Sequence, residues 1–305
     1  MAQIGVEVHI SPRARQATTA ARMSLADSGS LLRADVDLVL VGVTVLDRDD
    51  RAVSGLRSSS FVVLENKVPQ PIRYFSQDDM PLSVVLVLDT SGSMADKMEY
   101  ARRAALEFLN ASNAGDEIAV VTVASQPRVK NMFGDSLSQI RETVDYAQAD
   151  GTTSLWDSVY VGMQRLRSAS LSRKAMVIIS DGGDNSSRFT EGSLRRMLQE
   201  ADVQVYGIGF FDSFPRTQEA KRGPLWLEDV TNATGGRLLI AHDAVGATAA
   251  ALKISDELRS QYVLGYYPRD SKPGGKWRNI KVQIKSDQSS KLRLYAKKGY
   301  YSSTN

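Results

Sequence analysis

The stretch from Pro81 to Met94 restricts the possible folds more than any other part of the chain. It begins with an unbroken apolar run, VVLVL at residues 84–88, which ends abruptly at Asp89. That length and the β-branched content are typical of a strand buried on both faces of a parallel sheet. Small and hydroxylated residues follow, and a helical pattern then extends over residues 98–109. The stretch predicts a strand, a tight turn and a helix, and open α/β sheets bind their ligands at such strand ends.

Composition excludes several classes of site. The 305 residues are 42% hydrophobic and 24% charged, as in ordinary globular proteins, and leave room for one large or two modest domains. The net charge is +3, and the basic residues are scattered along the sequence. They form no run interleaved with aromatic residues, which would indicate a nucleic-acid groove. The chain has no cysteine, and His9 and His242 are its two histidines. Zinc ribbons, thiol catalysis, disulfide frameworks and histidine-rich metal sites are therefore excluded.

Two observations bear on location. No stretch approaches the roughly 20 apolar residues that span a bilayer. The first residues, MAQIGVEVHISPRARQ, lack the apolar core of a secretory signal. We expect an exported protein (periplasmic, cell-surface or secreted) whose signal is absent from this sequence, and a cytoplasmic location is the alternative.

The hydrophobic pattern divides the chain into four parts. Residues 1–34 show no hydrophobic periodicity and are expected to be irregular in structure. Residues 35–80 contain short strands with turns between them, whereas residues 81–261 alternate strand and helix, which predicts a parallel sheet covered by helices. Residues 262–305 return to strands, which are too few to close a core alone. We therefore predict an α/β fold: a doubly wound, mostly parallel sheet inserted into a smaller β-sandwich-like module built from both chain ends.

The individual elements follow from the same pattern. The predicted strands cover residues 36–45, 61–64, 72–75, 84–88, 118–123, 176–179, 203–208, 238–240, 280–284 and 292–295. The predicted helices cover residues 98–109, 137–147, 155–166, 194–201, 225–233 and 247–258.

Oxygen-bearing side chains collect where the predicted strands end. Asp89, Ser91 and Ser93 follow the first buried strand, and their alternation allows both hydroxyls to face the same side. Hard oxygen donors on a tight turn suit a small divalent cation. Taken alone this motif is a weak signal, because Asp89 could simply cap the helix that follows.

Two more strand ends strengthen the case. Asp181 follows the buried run 176–179 as Asp89 follows its own strand, and the Gly151–Thr153 loop precedes a helix. Each has an ordinary alternative: Thr153 could be a helix cap, and the Asp-Gly pair at 181–182 could be a plain turn. Three such motifs at the carboxyl ends of strands in one α/β unit argue against coincidence.

Together the motifs resemble a known family. DTSGS at residues 89–93, the Gly-Thr-Thr loop and Ser180-Asp181-Gly182 are similar to the metal-ion-dependent adhesion site (MIDAS) of von Willebrand factor type A domains, over roughly residues 81–261. Further segments resemble bacterial proteins related to this family, in which strands accompany the domain on both sides. These segments cover residues 61–65, 70–72, 261–266 and 298–301.

The resemblance implies a metal site and a function. Ser91 and Ser93 would bind Mg²⁺ directly, Thr153 directly or through water, and Asp89 and Asp181 mostly through water. Mn²⁺ and Ca²⁺ are alternative ions. A free coordination position would accept an Asp or Glu from a protein partner, so the implied function is a non-enzymatic, metal-dependent protein-binding module of the adhesion type. The alternatives are a structural scaffold with a stabilising metal, and a metal-dependent phosphoryl hydrolase with Asp89 as nucleophile.

Other residues near the motifs support weaker predictions. Asp157, Asp184 and Asn185 are interpreted as surface residues, with a supporting role at the metal as the alternative. Residues 210–226 are expected to form a long loop, which either packs by its aromatic residues or contacts a partner. His242 is expected to be structural, and Trp156 to be a core anchor beside the site.

Overall fold

The computed structural model of the protein describes residues 19–24, 33–269, 275–285 and 291–302. The strands are β1 (Thr19–Ser24), β2 (Arg33–Leu46), β3 (Phe61–Glu65), β4 (Val68–Gln70), β5 (Tyr74–Ser76), β6 (Leu82–Asp89), β7 (Glu117–Val123), β8 (Arg128–Asn131), β9 (Arg173–Ser180), β10 (Gln204–Gly209), β11 (Leu238–Ile240), β12 (Tyr262–Tyr266), β13 (Trp277–Ile284), β14 (Arg293–Ala296) and β15 (Gly299–Tyr301). The helices are α1 (Met98–Asn110), α2 (Leu137–Asp145), α3 (Leu155–Arg167), α4 (Glu191–Glu200), α5 (Gln218–Thr234) and α6 (Ala244–Arg259).

A six-stranded sheet with the order β11-β10-β9-β6-β7-β8 lies at the centre of the molecule. All its neighbours run parallel except the edge strand β8, which is antiparallel to β7. β6 occupies a central position between β7 and β9, and every one of its residues is buried. Because the strands are parallel, the carboxyl ends of β6 and β9 meet at one edge of the sheet, as predicted.

Helices cover both faces of this sheet. Leu86 and Leu88 of β6 pack in one apolar cluster with residues of α1, α2 and α6. Val85 and Val87 point to the opposite face, where they pack with residues of α3, α4 and α5. The predicted fold class, a doubly wound and mostly parallel α/β sheet, is confirmed.

Strands from both ends of the chain form two smaller sheets. One has the order β1-β2-β12-β5 with β14 also paired to β2, and the other has the order β15-β13-β3-β4. Val43 of β2, Phe61 of β3, Tyr262 of β12 and Ile280 of β13 belong to one buried cluster, so the two sheets share a core. The prediction of a sandwich built from early and late strands agrees with this packing. The boundaries proposed at residues 34, 80 and 261 stay a prediction.

One acidic side chain is buried inside the sandwich. Glu65, with 4% of its surface exposed, accepts hydrogen bonds of 2.8 Å from the hydroxyls of Tyr266 and Tyr300. Arg278 forms an ion pair of 2.9 Å with the same carboxylate. Glu65 thus joins β3 to β12, β13 and β15, and its charge is compensated by hydrogen bonds and a cation.

Polar contacts join the sandwich to the central sheet. Arg237, immediately before β11, forms ion pairs of 3.0 Å with Asp50 of the β2–β3 connection and with Glu257 of α6. Glu257 is 2% exposed, and burial raises its pKa to about 7. Arg293 of β14 also contacts Asp50, at 2.5 Å.

Several segments differ from the sequence-based predictions, including the short strands β4 and β15, which were not predicted. Residues 19–24, expected to be irregular, form β1, which pairs antiparallel with β2. β8 was not predicted, because RVKN is short and polar and gains its strand conformation by pairing at the sheet edge. The long loop predicted at residues 210–226 is wrong: α5 begins at Gln218, and its cap Thr217 accepts the Ala220 N–H at 3.2 Å.

Two single-residue predictions have different outcomes. His242 is exposed after β11, and its expected structural role stays a prediction. Trp156 is partly buried and packs against the core on the α3 face, with its ring centroid 6.2 Å from that of Trp226. Among the described helices, none has the length and apolar character needed to cross a membrane.

Candidate metal centre

Asp89 is the last residue of β6, and its surface is 0% exposed. Burial raises the pKa of Asp89 to about 6, and the negative charge of Asp181 adds to that rise. Oδ1 accepts the Ser91 N–H at 3.0 Å, and Oδ2 accepts the Ser180 hydroxyl at 2.5 Å. Because Lys97 occupies the cap position of α1, the alternative in which Asp89 caps this helix is wrong.

The two predicted serine hydroxyls lie side by side. Ser91 is fully buried in extended backbone, whereas the more exposed Ser93 lies in the 3₁₀ helix Gly92–Lys97. Their Oγ atoms are 3.3 Å apart, in agreement with the alternation in the sequence. Two neutral oxygens this close can face one small cation.

The Gly151–Thr153 loop is attached to the turn after β6. The carbonyl oxygen of Gly151 accepts the Gly92 N–H at 3.0 Å, and Gly151 has a φ of +79° that favours glycine. Thr153 is 4% exposed, and its N–H donates to Asn185 Oδ1 at 2.9 Å. The cap of α3 is Ser154, so the alternative in which Thr153 caps the helix is wrong.

Asp181 follows β9 directly and is 9% exposed. Its Oδ1 accepts the Gly183 N–H at 3.0 Å, and Gly182 has a φ of +76°, so the chain does turn here, as the ordinary alternative for this pair proposed. The carboxylate also lies close enough to Asp89 to raise that residue's pKa. On the other side, Oδ2 lies 3.5 Å from the Nζ of Lys97.

Helix α5 packs directly against the Asp181 turn. A Cβ atom on Gly223 would lie 2.5 Å from the carbonyl oxygen of Asp181, and one on Gly182 would lie 2.6 Å from the Gly223 carbonyl carbon. Only two glycines allow the backbones to approach this closely. Gly223 is distant in the sequence from Asp181, yet it helps to position this predicted metal ligand.

Ser180 is a site residue that the sequence analysis quoted in a motif without giving it a role. It is fully buried at the end of β9, and its hydroxyl bonds Asp89 and accepts the Gly182 N–H at 2.8 Å. The signal that could have identified it is the position of a hydroxyl directly before Asp181, at the end of an otherwise apolar strand.

Asn185 is exposed, as interpreted from the sequence, whereas Asp157 and Asp184 are half-buried, and all three make contacts around the site. Asp184 Oδ2 accepts the Trp156 N–H at 2.9 Å, and Asp157 Oδ1 accepts the Arg188 N–H at 2.9 Å. With Asn185 bonded to Thr153, all three hold the loop after β9 on the amino end of α3. They stabilise the loops around the site, and burial raises the pKa of Asp184.

The side chains available at this edge define what it can bind. The described residues contain no cluster of three or more His, Cys, Asp or Glu side chains that could hold a metal. The predicted donors are instead two carboxylates and three hydroxyls: Asp89, Asp181, Ser91, Ser93 and Thr153. A set of oxygen donors in which only two are charged fits Mg²⁺ or Mn²⁺. These ions keep water ligands where the protein does not fill every coordination position.

An open, polar cleft of about 510 Å³ lies beside this edge. Thr90 and Gly151 form its wall toward the candidate metal site, and β8 and α2 form the other side. Tyr146, which is 76% exposed, stands at its rim.

Comparisons with known proteins agree with the fold. Residues 84–183 match the family model of the von Willebrand factor type A domain. Inter-alpha-trypsin inhibitor heavy chain H4 from Homo sapiens is 24% identical over 200 residues, which cover 58% of this chain and 21% of that protein. The match thus spans about a fifth of the length of the human relative.

Two solved structures share the architecture. A von Willebrand factor type A protein from Catenulispora acidiphila has a TM-score of 0.51 at 15% identity, over 88% of this chain and 74% of that one. Proximal thread matrix protein 1 from the mussel byssus, described with a zinc-occupied MIDAS motif, has a TM-score of 0.51 at 14% identity, over 64% and 49%. At these identities the likeness concerns the fold alone.

Proposed function

From the premise that this chain carries a von Willebrand factor type A domain, we propose that it is a metal-ion-dependent protein-binding module. Ser91 and Ser93 would bind the ion directly, Thr153 directly or through water, and Asp89 and Asp181 through water. Mg²⁺ is the ion proposed first, with Mn²⁺ or Ca²⁺ as alternatives. The observation that carries the proposal is the 3.3 Å approach of the Ser91 and Ser93 hydroxyls beside two carboxylates at one sheet edge.

The donor chemistry explains why a partner would bind through an acid. A cation held mainly by neutral hydroxyls keeps much of its positive charge, and it supplies an electrostatic attraction for an external carboxylate. The protein's own carboxylates are already engaged: Asp89 by Ser91 and Ser180, and Asp181 by the Gly183 N–H. An Asp or Glu of a protein partner would therefore complete the coordination.

The same contacts argue against the hydrolase alternative. A nucleophilic aspartate needs an accessible oxygen, but Asp89 is 0% exposed and both of its oxygens accept hydrogen bonds. We therefore propose a non-enzymatic role. We also propose an exported location, where a metal-dependent adhesion module would meet its partners.

Calorimetric titration with Mg²⁺ and Mn²⁺ tests the site. We expect saturable binding by the wild-type protein and its loss in Ser91→Ala, with no change in Ser59→Ala, a control at an exposed serine before β3. A wild-type protein that binds neither ion would refute the metal-dependent function. Equal affinity in wild type and Ser91→Ala would show that the ion binds elsewhere.

The partner carboxylate needs a separate measurement. Bound Mn²⁺ enhances the relaxation of water protons, and acetate added as a minimal carboxylate should reduce that enhancement by displacing a water ligand. Binding of Mn²⁺ with no response to acetate would favour the scaffold alternative, in which the ion only stabilises the fold. Phosphatase assays with generic substrates should show no metal-dependent turnover.

A further inference from the structure

The ammonium group of Lys97 lies between two carboxylates that come from different parts of the chain. Its Nζ is 2.9 Å from Asp212 Oδ1 and 3.5 Å from Asp181 Oδ2. Lys97 ends the 3₁₀ helix that contains Ser93, whereas Asp212 lies in the connection between β10 and α5. The Lys97 side chain is only 16% exposed, so this is a partly buried arrangement in which water screens the charges less than at the surface.

This lysine touches one of the proposed metal ligands. Asp181 Oδ1 is occupied by the Gly183 N–H, and its Oδ2 faces Lys97. A divalent cation at the site would place two positive charges near the same carboxylate that Lys97 contacts. The ion and the ammonium group therefore compete for the negative charge of Asp181.

Asp212 is the nearer of the two carboxylates to the lysine ammonium group, and its side chain is 55% exposed. We name residues 210–217, between β10 and α5, the Asp212 loop. Phe214 of this loop is 88% exposed, so the loop presents an apolar side chain to solvent.

We propose that Lys97 is an affinity-setting residue that links the metal site to the Asp212 loop. This inference rests on the proposed metal site. The lysine charge lowers the affinity for the divalent ion, and Asp212 offsets that effect by drawing the ammonium group toward itself. When the ion binds, the Lys97 ammonium group moves away from Asp181 and toward Asp212. The stronger contact between Lys97 and Asp212 then fixes the position of the loop and of Phe214.

The first test is calorimetric titration of Mg²⁺ and Mn²⁺ into Lys97→Gln. Removal of one positive charge near the ion should strengthen binding roughly tenfold. Lys281→Gln, at an exposed position of β13, removes the same charge far along the chain and should leave affinity unchanged. Lys97→Met serves as a second variant if Lys97→Gln does not fold, as judged by thermal melting.

A double-mutant cycle with Asp212→Asn tests the link to the loop. Asp212→Asn alone should weaken metal binding severalfold, because Lys97 then pairs more strongly with Asp181. In the Lys97→Gln background the same substitution should have a much smaller effect. An equal effect in both backgrounds would mean that Asp212 acts through space and would overturn the link.

The outcomes separate this inference from the proposed function. If the wild-type protein binds no divalent ion, the metal site itself fails. If the wild-type protein binds the ion and Lys97→Gln binds it with equal or lower affinity, the metal site stands and the role of Lys97 is refuted. Tighter binding by Lys97→Gln together with the predicted coupling to Asp212 supports the inference.

Discussion

The hydroxyl of Ser180 lies 2.5 Å from Asp89 Oδ2 and connects the ends of the neighbouring strands β6 and β9. The same oxygen accepts the Gly182 N–H at 2.8 Å, so one hydroxyl fixes both an interior carboxylate and the turn after Asp181. The two halves of the candidate metal site are thus held together by a residue outside the proposed ligand set.

Replacement of this hydroxyl should loosen both halves. We expect Ser180→Ala to lower the free energy of unfolding by about 1–3 kcal/mol, because it leaves a buried carboxylate oxygen without its donor. Metal affinity should fall severalfold as Asp89 loses its orientation. Urea unfolding and calorimetry measure the two effects, and Ser168→Ala, at the end of α3, is the control. Unchanged metal affinity would show that the Ser180 bond serves stability alone.

The close approach of α5 to the Asp181 turn leads to a second prediction. Gly223→Ala would place a methyl group 2.5 Å from the Asp181 carbonyl oxygen and force the two backbones apart. We expect a loss of about 1–3 kcal/mol in unfolding free energy, and weaker metal binding. Gly192→Ala in α4 is a matched control, because nothing lies within 4 Å of the added Cβ. That control should be neutral or stabilising, since alanine favours the helix.

The buried carboxyl of Glu257 predicts a pH dependence of stability. Its pKa is raised from an ordinary 4.5 to about 7, so the folded state binds this proton more tightly than the unfolded state. The free energy of unfolding should therefore fall as the pH rises from 4.5 to 7, by about 3 kcal/mol from this group. Glu257→Gln cannot ionise and should flatten that slope in urea unfolding between pH 5 and pH 8.

Part of the slope should remain in this variant, because the pKa of Asp89 is raised in the same direction. A wild-type slope retained in full by Glu257→Gln would mean that the carboxyl stays ionised beside Arg237 and Lys253.

The buried acid of the sandwich leads to a fourth prediction. Glu65→Ala removes the acceptor of the Tyr266 and Tyr300 hydroxyls and the ion-pair partner of Arg278. We expect a loss of about 3–5 kcal/mol in unfolding free energy and faster proteolysis of the carboxyl-terminal strands. Glu65→Gln keeps an acceptor oxygen and should lose less. Metal binding by the central sheet should persist in both variants, and its loss would show that the sandwich supports the site directly.

The sequence predicted the fold well where hydrophobic periodicity is strong. The apolar runs at 84–88 and 176–179 lie inside β6 and β9, whose parallel pairing brings Asp89 and Asp181 to one edge. The polar edge strand β8 escaped prediction because backbone pairing with the preceding strand β7, not side-chain pattern, determines it. The start of α5 was missed because Pro224 and nearby polar residues mask a helix that Thr217 caps.

At the candidate site, sequence reasoning reached the residues carried by strand ends and a loop motif. It did not find Lys97 and Gly223, which contact the Asp181 turn, or Asp212, which contacts Lys97. No local pattern marks such residues, because each makes an ordinary contribution to its own element. Their importance depends on what lies opposite them in the folded chain.

The pairing of early strands with late ones determines the order in which the protein can fold during synthesis. Val43 pairs with Tyr262, and Val63 with Val282, so β2 and β3 leave the ribosome long before their partners β12 and β13 exist. At typical translation speeds the wait is roughly 10–40 s, enough time for the central α/β sheet to form. That sheet then brings β5 and β12 together, and the sandwich closes last. Until then β2 and β3 lack these late partners, and an apolar strand with an unpaired edge is open to aggregation.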